Sequence, residues 1–309
     1  MLAAVTLLAV QGCAPATSAD ADAVTAASHS VSFGTAKAVY DSYLAASDTA
    51  AAQGDETQGL SMVTAAQWAQ VRGQYTALAS AGTPVPGYRY GQPVFYVPAL
   101  ASYPQWFMVA VPRRTEVGGR LGAAVSTLMV FSRATKSVSW TLSGSAVLDR
   151  PLPAIARDRD GYAVNVAPTD SSLLLRPDVV GATQAAVVDD GPASPAAAVV
   201  GDGPQTTGLY AAQAAQRAAA QARVLQYQWL LQGAPFRQYG LRLADGGALV
   251  LYGMYLNTTT EHPNLVAGSP IQVPAAFSPL CLPRETHVKV GRHRLVAGQR
   301  FEMVAACEC

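Results

Sequence analysis

The chain changes its hydrophobic period twice, each time from that of a helix to that of a strand. From residue 33, Ala36, Val39, Tyr40, Tyr43 and Leu44 recur at i, i+3, i+4, i+7 and i+8, which puts them on one helical stripe. Asp41, Ser42 and Asp48 fall off it. A second, alanine-rich helix is expected from about Leu60 to Leu78, stopped by Gly82 and Pro84. Short β-branched and aromatic runs follow, "YRYGQPVFYVP", "QWFMVAVP", "STLMVFS" and "SVSWTLSG", parted by turn residues and reading as an antiparallel meander. The order then repeats. "RPDVVGATQAAVV" sets Pro177 at the first turn of a helix, and a long helix is expected over about Thr207 to Leu231, before Gly233 and Pro235. Strands return in "RQYGLRL", "ALVLYGMYLN", "THVKV" and "QRFEMVAAC", with Asp245-Gly246-Gly247 as the clearest hairpin turn.

This pattern predicts an α+β fold of two related units, 33–168 and 169–309, each made of helices followed by a curved antiparallel sheet. Local text supports a repeat. Gly59 and Gly208 each stand six residues before an Ala-Ala-Gln, at 65–67 and 214–216. In shape each unit resembles the cones of nuclear-transport-factor-like and ketosteroid-isomerase-like proteins, a likeness that carries no chemistry with it.

Residues 1–12, MLAAVTLLAVQG, are uncharged and almost wholly apolar. They have the length of a signal-peptide h-region and are too short to span a bilayer. A start upstream of Met1 would supply the missing basic n-region. Val10-Gln11-Gly12-Cys13 resembles a bacterial lipobox, in which the cysteine is diacylated and becomes the new N-terminus. Residues 13–32 lack apolar periodicity and read as a flexible tether with a reach of roughly 25 Å. The competing reading of Cys13 is a small buried thiol in a first strand or helix turn. Among the remaining cysteines, Cys281 could pair with Cys307 or Cys309 in an oxidising compartment, closing a loop of fewer than thirty residues. The bridge would contribute about 3–4 kcal/mol. Three unrelated reduced thiols are the alternative, and a zinc site lacks a placed fourth ligand.

"LDRPLPAIARDRDGYAVNVAP", residues 148–168, together with "FYVP", "WFMVAVPRR" and "LMVFS", is similar to a family of actinobacterial lipoproteins sharing one long domain without assigned function. The resemblance covers roughly residue 33 to the C-terminus. It implies export and anchoring by an N-terminal acyl chain at the outer face of the cell membrane, and it supplies no catalytic residues.

The charge pattern excludes one class of partner. Net charge is +1 and the basic residues are scattered, so no cationic face for nucleic acid is expected. Chemistry is sparse. No phosphate-binding glycine loop and no G-x-S-x-G elbow occur. Asp41 or Asp48 with Tyr40 or Tyr43 could form an acid–base dyad, although Asp41 points away from the apolar stripe. Asp158-Arg159-Asp160-Gly161 reads as a polar turn, lacking the full donor set of a calcium loop. Glu261-His262, Glu285, His287 and His293 lack metal-ligand spacing. No metal or cofactor is expected. The aromatic residues of the first sheet remain. Tyr40, Tyr43, Tyr96, Trp106 and Trp140 either pack a core or line a pocket for a small apolar ligand. The expectation is a non-catalytic binding module acting on such a ligand or on an envelope protein. An enzyme hidden in one cone and a purely structural envelope component are the alternatives.

Overall fold

The computed structural model describes residues 31–261 and, beyond them, the backbone of three short strands at 287–288, 294–295 and 298–299. Helix α1 (Phe33–Gln53) starts where the Ser32 hydroxyl accepts the Thr35 amide. It stops at Gly54, whose φ of 63° lets its amide turn back to the Ala50 and Ala51 carbonyls. Val31 is buried, so the last two residues of the stretch read as tether are a core side chain and a helix cap.

The single helix expected over 60–78 is two, α2 (Glu56–Ser61) and α3 (Ala65–Ser80). Between them the chain pairs like a strand. Leu142 N donates to Met62 O and Thr64 N to Leu142 O, each at 3.0 Å, and Val63 is buried. A β-branched side chain loses little in an extended backbone and more in a helix, so the break falls at Val63-Thr64.

The central sheet is built from β1 (Gly87–Tyr90), β2 (Val94–Tyr96), β3 (Gln105–Val117), β4 (Arg120–Leu121), β5 (Val125–Arg133) and β6 (Thr141–Leu148). These pair antiparallel about β3 and β5, and β1 and β2 line up in turn along β3. β12 (His287–Val288) adds parallel to β6, on this sheet and not beside the later strands. Alternation sorts the side chains. Phe107, Val109 and Val111 join Met129, Phe131 and α1 in a core under the helices. Trp106, Met108, Leu128 and Val130 enter a second core on the opposite face. Burial on both faces explains why "WFMVAV", residues 106–111, is continuously apolar. In β6 an extra residue, Ser143, interrupts the ladder between Val130 and Phe131. Leu142 therefore faces the helices, while Ala146 and Leu148 face the second core.

That second core is closed by a small sheet of β7 (Asn165–Val166), β9 (Tyr239–Arg242) and β10 (Ala248–Leu251). Leu249 and Leu251 point toward Trp106. Ala248 and Val250 point into a third core with α4 (Val180–Asp190). The segment 148–168 stitches the two sheets together. Ala163 N donates to Val97 O and Ala156 N to Arg242 O, both at 2.8 Å.

The long helix expected over 207–231 is shorter. α5 (Thr207–Gln221) ends, Val224 takes a φ of 59°, and β8 (Gln226–Gly233) begins. β8 pairs along its whole length with β11 (Met254–Glu261), and this ribbon is separate from the three-stranded sheet. "QYQWLLQG" carries strand alternation as well as helical spacing, and a partner strand decides between them. The strands from β7 to β11 thus divide between two sheets. β13 (Arg294–Leu295) pairs with β14 (Gly298–Gln299). The matched Ala-Ala-Gln text starts α3 in one half and lies inside α5 in the other. The fold class is α+β, with open sheets.

Candidate functional site

Between the C-terminal half of α1, α3 and the helix-facing side of the central sheet lies a cleft of about 300 Å³. Its floor is apolar, formed by Val63, Met129, Leu142 and Val147, and its walls carry polar groups from separate elements. α1 contributes Tyr43, Ser47 and Asp48, and α3 contributes Gln67, Gln70, Gln74 and Tyr75. β1 brings Tyr88 and Tyr90, and β3 brings Arg113. The Tyr90–Arg113 register of β1 on β3 is what sets these side chains together.

The Arg113 guanidinium lies 4.4 Å from the Tyr88 ring centroid, a cation–π contact. Gln74 Nε2 donates to Tyr88 Oη at 3.5 Å, and Ser145 Oγ donates to Gln67 Oε1 at 2.8 Å. Tyr75 reaches the cleft over Gly59, where a Cβ would stand 2.8 Å from its Oη. Thr127 on β5 is buried, and its Oγ1 has no hydrogen-bond partner among the described residues.

The phenols are held neutral. Burial pushes Tyr43 up to about 12, against the opposing pull of the Ser47 hydrogen bond and the Arg113 charge. Burial, with Tyr43 next to it, lifts Tyr90 well above the ordinary tyrosine value. Tyr75 is raised by burial and then by the charges of Asp55 and Glu56. A general base works best with a pKa near the operating pH, and these shifts move away from it. Asp48 sits exposed at the edge. Among the lining residues there is no histidine or cysteine. The arrangement offers hydrogen-bond donors and acceptors around an apolar floor.

The five aromatic residues singled out from sequence fall on two faces of the sheet. Tyr43 lines the cleft, and with Trp140 it lines a second groove of about 550 Å³ beside α1. Tyr40 lies beneath, edge-on to Phe95 at 5.7 Å and Phe131 at 6.2 Å, its hydroxyl buried without a partner among the described residues. Trp106 and Tyr96 belong to the opposite face. Trp106 packs 5.4 Å from Tyr239, and Arg157 lies 5.4 Å over Tyr96. Asp41 pairs with Lys37 on the outside of α1. Asp158 caps a turn by accepting the Asp160 and Tyr162 amides, the expected polar turn.

Arg113, Tyr88, Tyr90, Thr127 and the α3 glutamines are not picked out by sequence reasoning. A helical wheel of α3 would set Gln67, Gln70, Val71 and Gln74 on one side, the signal that could have found them. Cys13, Cys281, Cys307 and Cys309, the lipidation and disulfide candidates, lie outside the described residues, as do His262, Glu285 and His293. No side-chain position is described for Glu261 or His287. Among the described residues no helix is long and apolar enough to cross a membrane.

Residues 27–280 match a family model described as a domain of unknown function, DUF8094. An uncharacterized lipoprotein of Streptomyces avermitilis is 27% identical over 195 residues, which make up 58% of this chain and 54% of that protein. The chain spans about half the length of this curated relative. No solved structure is a significant match.

Proposed function

We propose, from the premise that this chain belongs to the DUF8094 family, that it is a lipid-anchored protein of the outer membrane face whose folded body works by binding a small ligand in the cleft. The observation that carries the binding reading is the character of the walls. Phenols kept protonated, side-chain amides and one guanidinium surround an apolar floor, with the single carboxylate at the edge. Such groups orient a ligand without offering a base poised near neutrality. The anchor reading is supported by the lipoprotein relative and by Cys13 directly after an apolar run and Gly12.

Two measurements test this. Mass spectrometry of membrane-fraction protein from a Streptomyces host should find acylated Cys13 at the mature N-terminus, and Cys13→Ala should leave the membrane fraction. An unprocessed, unacylated chain in the soluble fraction would remove the anchor. Thermal-shift screening of the full chain against small metabolites should find ligands whose effect is weakened by Tyr43→Phe. Indifference of every hit to that substitution would place binding elsewhere.

A further inference from the structure

We infer that the cleft takes an uncharged, polyhydroxylated ligand, a mono- or disaccharide or the terminal unit of a glycan, with one of its hydroxyls bonded to Thr127. The inference rests on the binding reading above and names the ligand class. Three features of the walls agree on it.

The first is hydrogen-bond type. A neutral phenol and a glutamine amide each donate and accept, as a sugar hydroxyl does. Tyr43, Tyr90, Gln67, Gln70 and Gln74 supply that dual character from several directions around one small volume. Burial keeps the phenols protonated, so neither role is lost near neutrality. The second is Thr127. The residue is 1% exposed, and its buried hydroxyl lacks a partner among the described residues, at the cleft face of β5. A buried hydroxyl left unpaired is costly, and a polar ligand group reaching the floor relieves that cost. The third is charge and size. Arg113 and Asp48 have opposite signs, so the lining carries no excess charge. About 300 Å³ is at the small end of ligand sites.

An acyl chain would set methylene groups against Thr127 Oγ1 and leave that hydroxyl unpaired. A lining with both aromatic and amide side chains suits a ring with apolar C–H faces and polar edges.

The experiment titrates the full chain calorimetrically with maltose, cellobiose and chitobiose, and in parallel with octanoate and succinate. The same disaccharides printed as terminal units on a glycan array separate free sugar from glycan ends. At least one saccharide should bind saturably at millimolar concentration or below. Thr127→Val, which replaces the unpaired hydroxyl by a methyl group, should keep or raise the thermal midpoint yet weaken that saccharide about tenfold. Tyr43→Phe should weaken it as well. Octanoate or succinate binding in a Tyr43-dependent way, with no saccharide bound, overturns the ligand class and leaves the binding reading standing. No binding by any probe overturns both. Saccharide binding indifferent to both substitutions overturns the assignment to this cleft. Conversion of the bound saccharide to products upholds the ligand class and overturns the non-catalytic reading.

Discussion

The Tyr252 hydroxyl donates to Gln184 Oε1 at 2.9 Å, and Gln184 Nε2 donates on to the Gln205 carbonyl at 2.7 Å. Gln184 is wholly buried in α4, and Tyr252 follows the last residue of β10. One polar side chain thus ties together a helix, a sheet end and the loop ahead of α5, with both ends of its amide satisfied. Tyr252→Phe leaves Gln184 Oε1 unpaired in an apolar surround. It should cost about 1–3 kcal/mol in chemical denaturation. A cost near zero would mean that the pair is not closed in solution.

Alkaline pH should unfold this protein steeply. Tyr40 and Tyr43 are each raised to about 12, chiefly by burial, and Tyr90 and Tyr252 are raised well above the ordinary value for the same reason. The protonated form is favoured by the fold. The stability from these groups is therefore complete below the unfolded tyrosine value of about 10 and is lost as pH rises toward the folded values. Urea midpoints measured from pH 8 to 12 should fall from about pH 10, and Tyr43→Phe should flatten the fall by about one proton.

Two carboxylates should pull in opposite directions in acid. Ser172 hydrogen bonds, then Arg242, hold Asp170 below the ordinary carboxylate value, so its contribution is present at neutral pH and disappears as pH falls through that lowered value. Asp170→Asn should lower stability at pH 7 and reduce the acid dependence. Asp189 is raised, by burial and then by the charge of Asp190. Its contribution is greatest below the ordinary carboxylate value and is lost as pH rises. Asp189→Asn should therefore stabilise the protein at pH 7. Thermal midpoints of both variants at pH 3 to 7 check the two signs.

Gly59→Ala would ordinarily strengthen a helix by about 1 kcal/mol. Here the added methyl meets Tyr75 Oη, and Tyr75 is buried. The substitution should lower the thermal midpoint and, in a crystal structure of the variant, displace the Tyr75 hydroxyl.

α1 is legible in the sequence because a surface helix has one buried face, and Ala36, Tyr40 and Tyr43 mark it. The central strands are legible as strands, but their facing is not. With both faces buried, "QWFMVAV" does not tell whether Trp106 or Phe107 meets the helices, and Trp106 goes to the far side. β8 is hidden because no glycine or proline stands between Gly208 and Gly233 to punctuate the chain, and its partner lies more than twenty residues away. The cleft shares this difficulty. Tyr43, Tyr90, Arg113 and Thr127 come from four elements, and only strand register and the packing of α1 on the sheet bring them together.

The extra residue at Ser143 gives β6 a property that outlasts any one side chain. Ahead of it the even-numbered Leu142 serves the compartment beneath α1; beyond it the odd-numbered Ser145 and Val147 do, and Ala146 and Leu148 turn to the opposite interior. Removing Ser143 would make Leu142 and Gly144 adjacent partners of Phe131 and Val130, so Ser145 and Val147 would keep the helix side and Ala146 and Leu148 the opposite one. The unpaired residue is thus the slack of this strand: one residue fewer is absorbed there, while one more inserted beyond Gly144 would turn the side chains after it to the other interior.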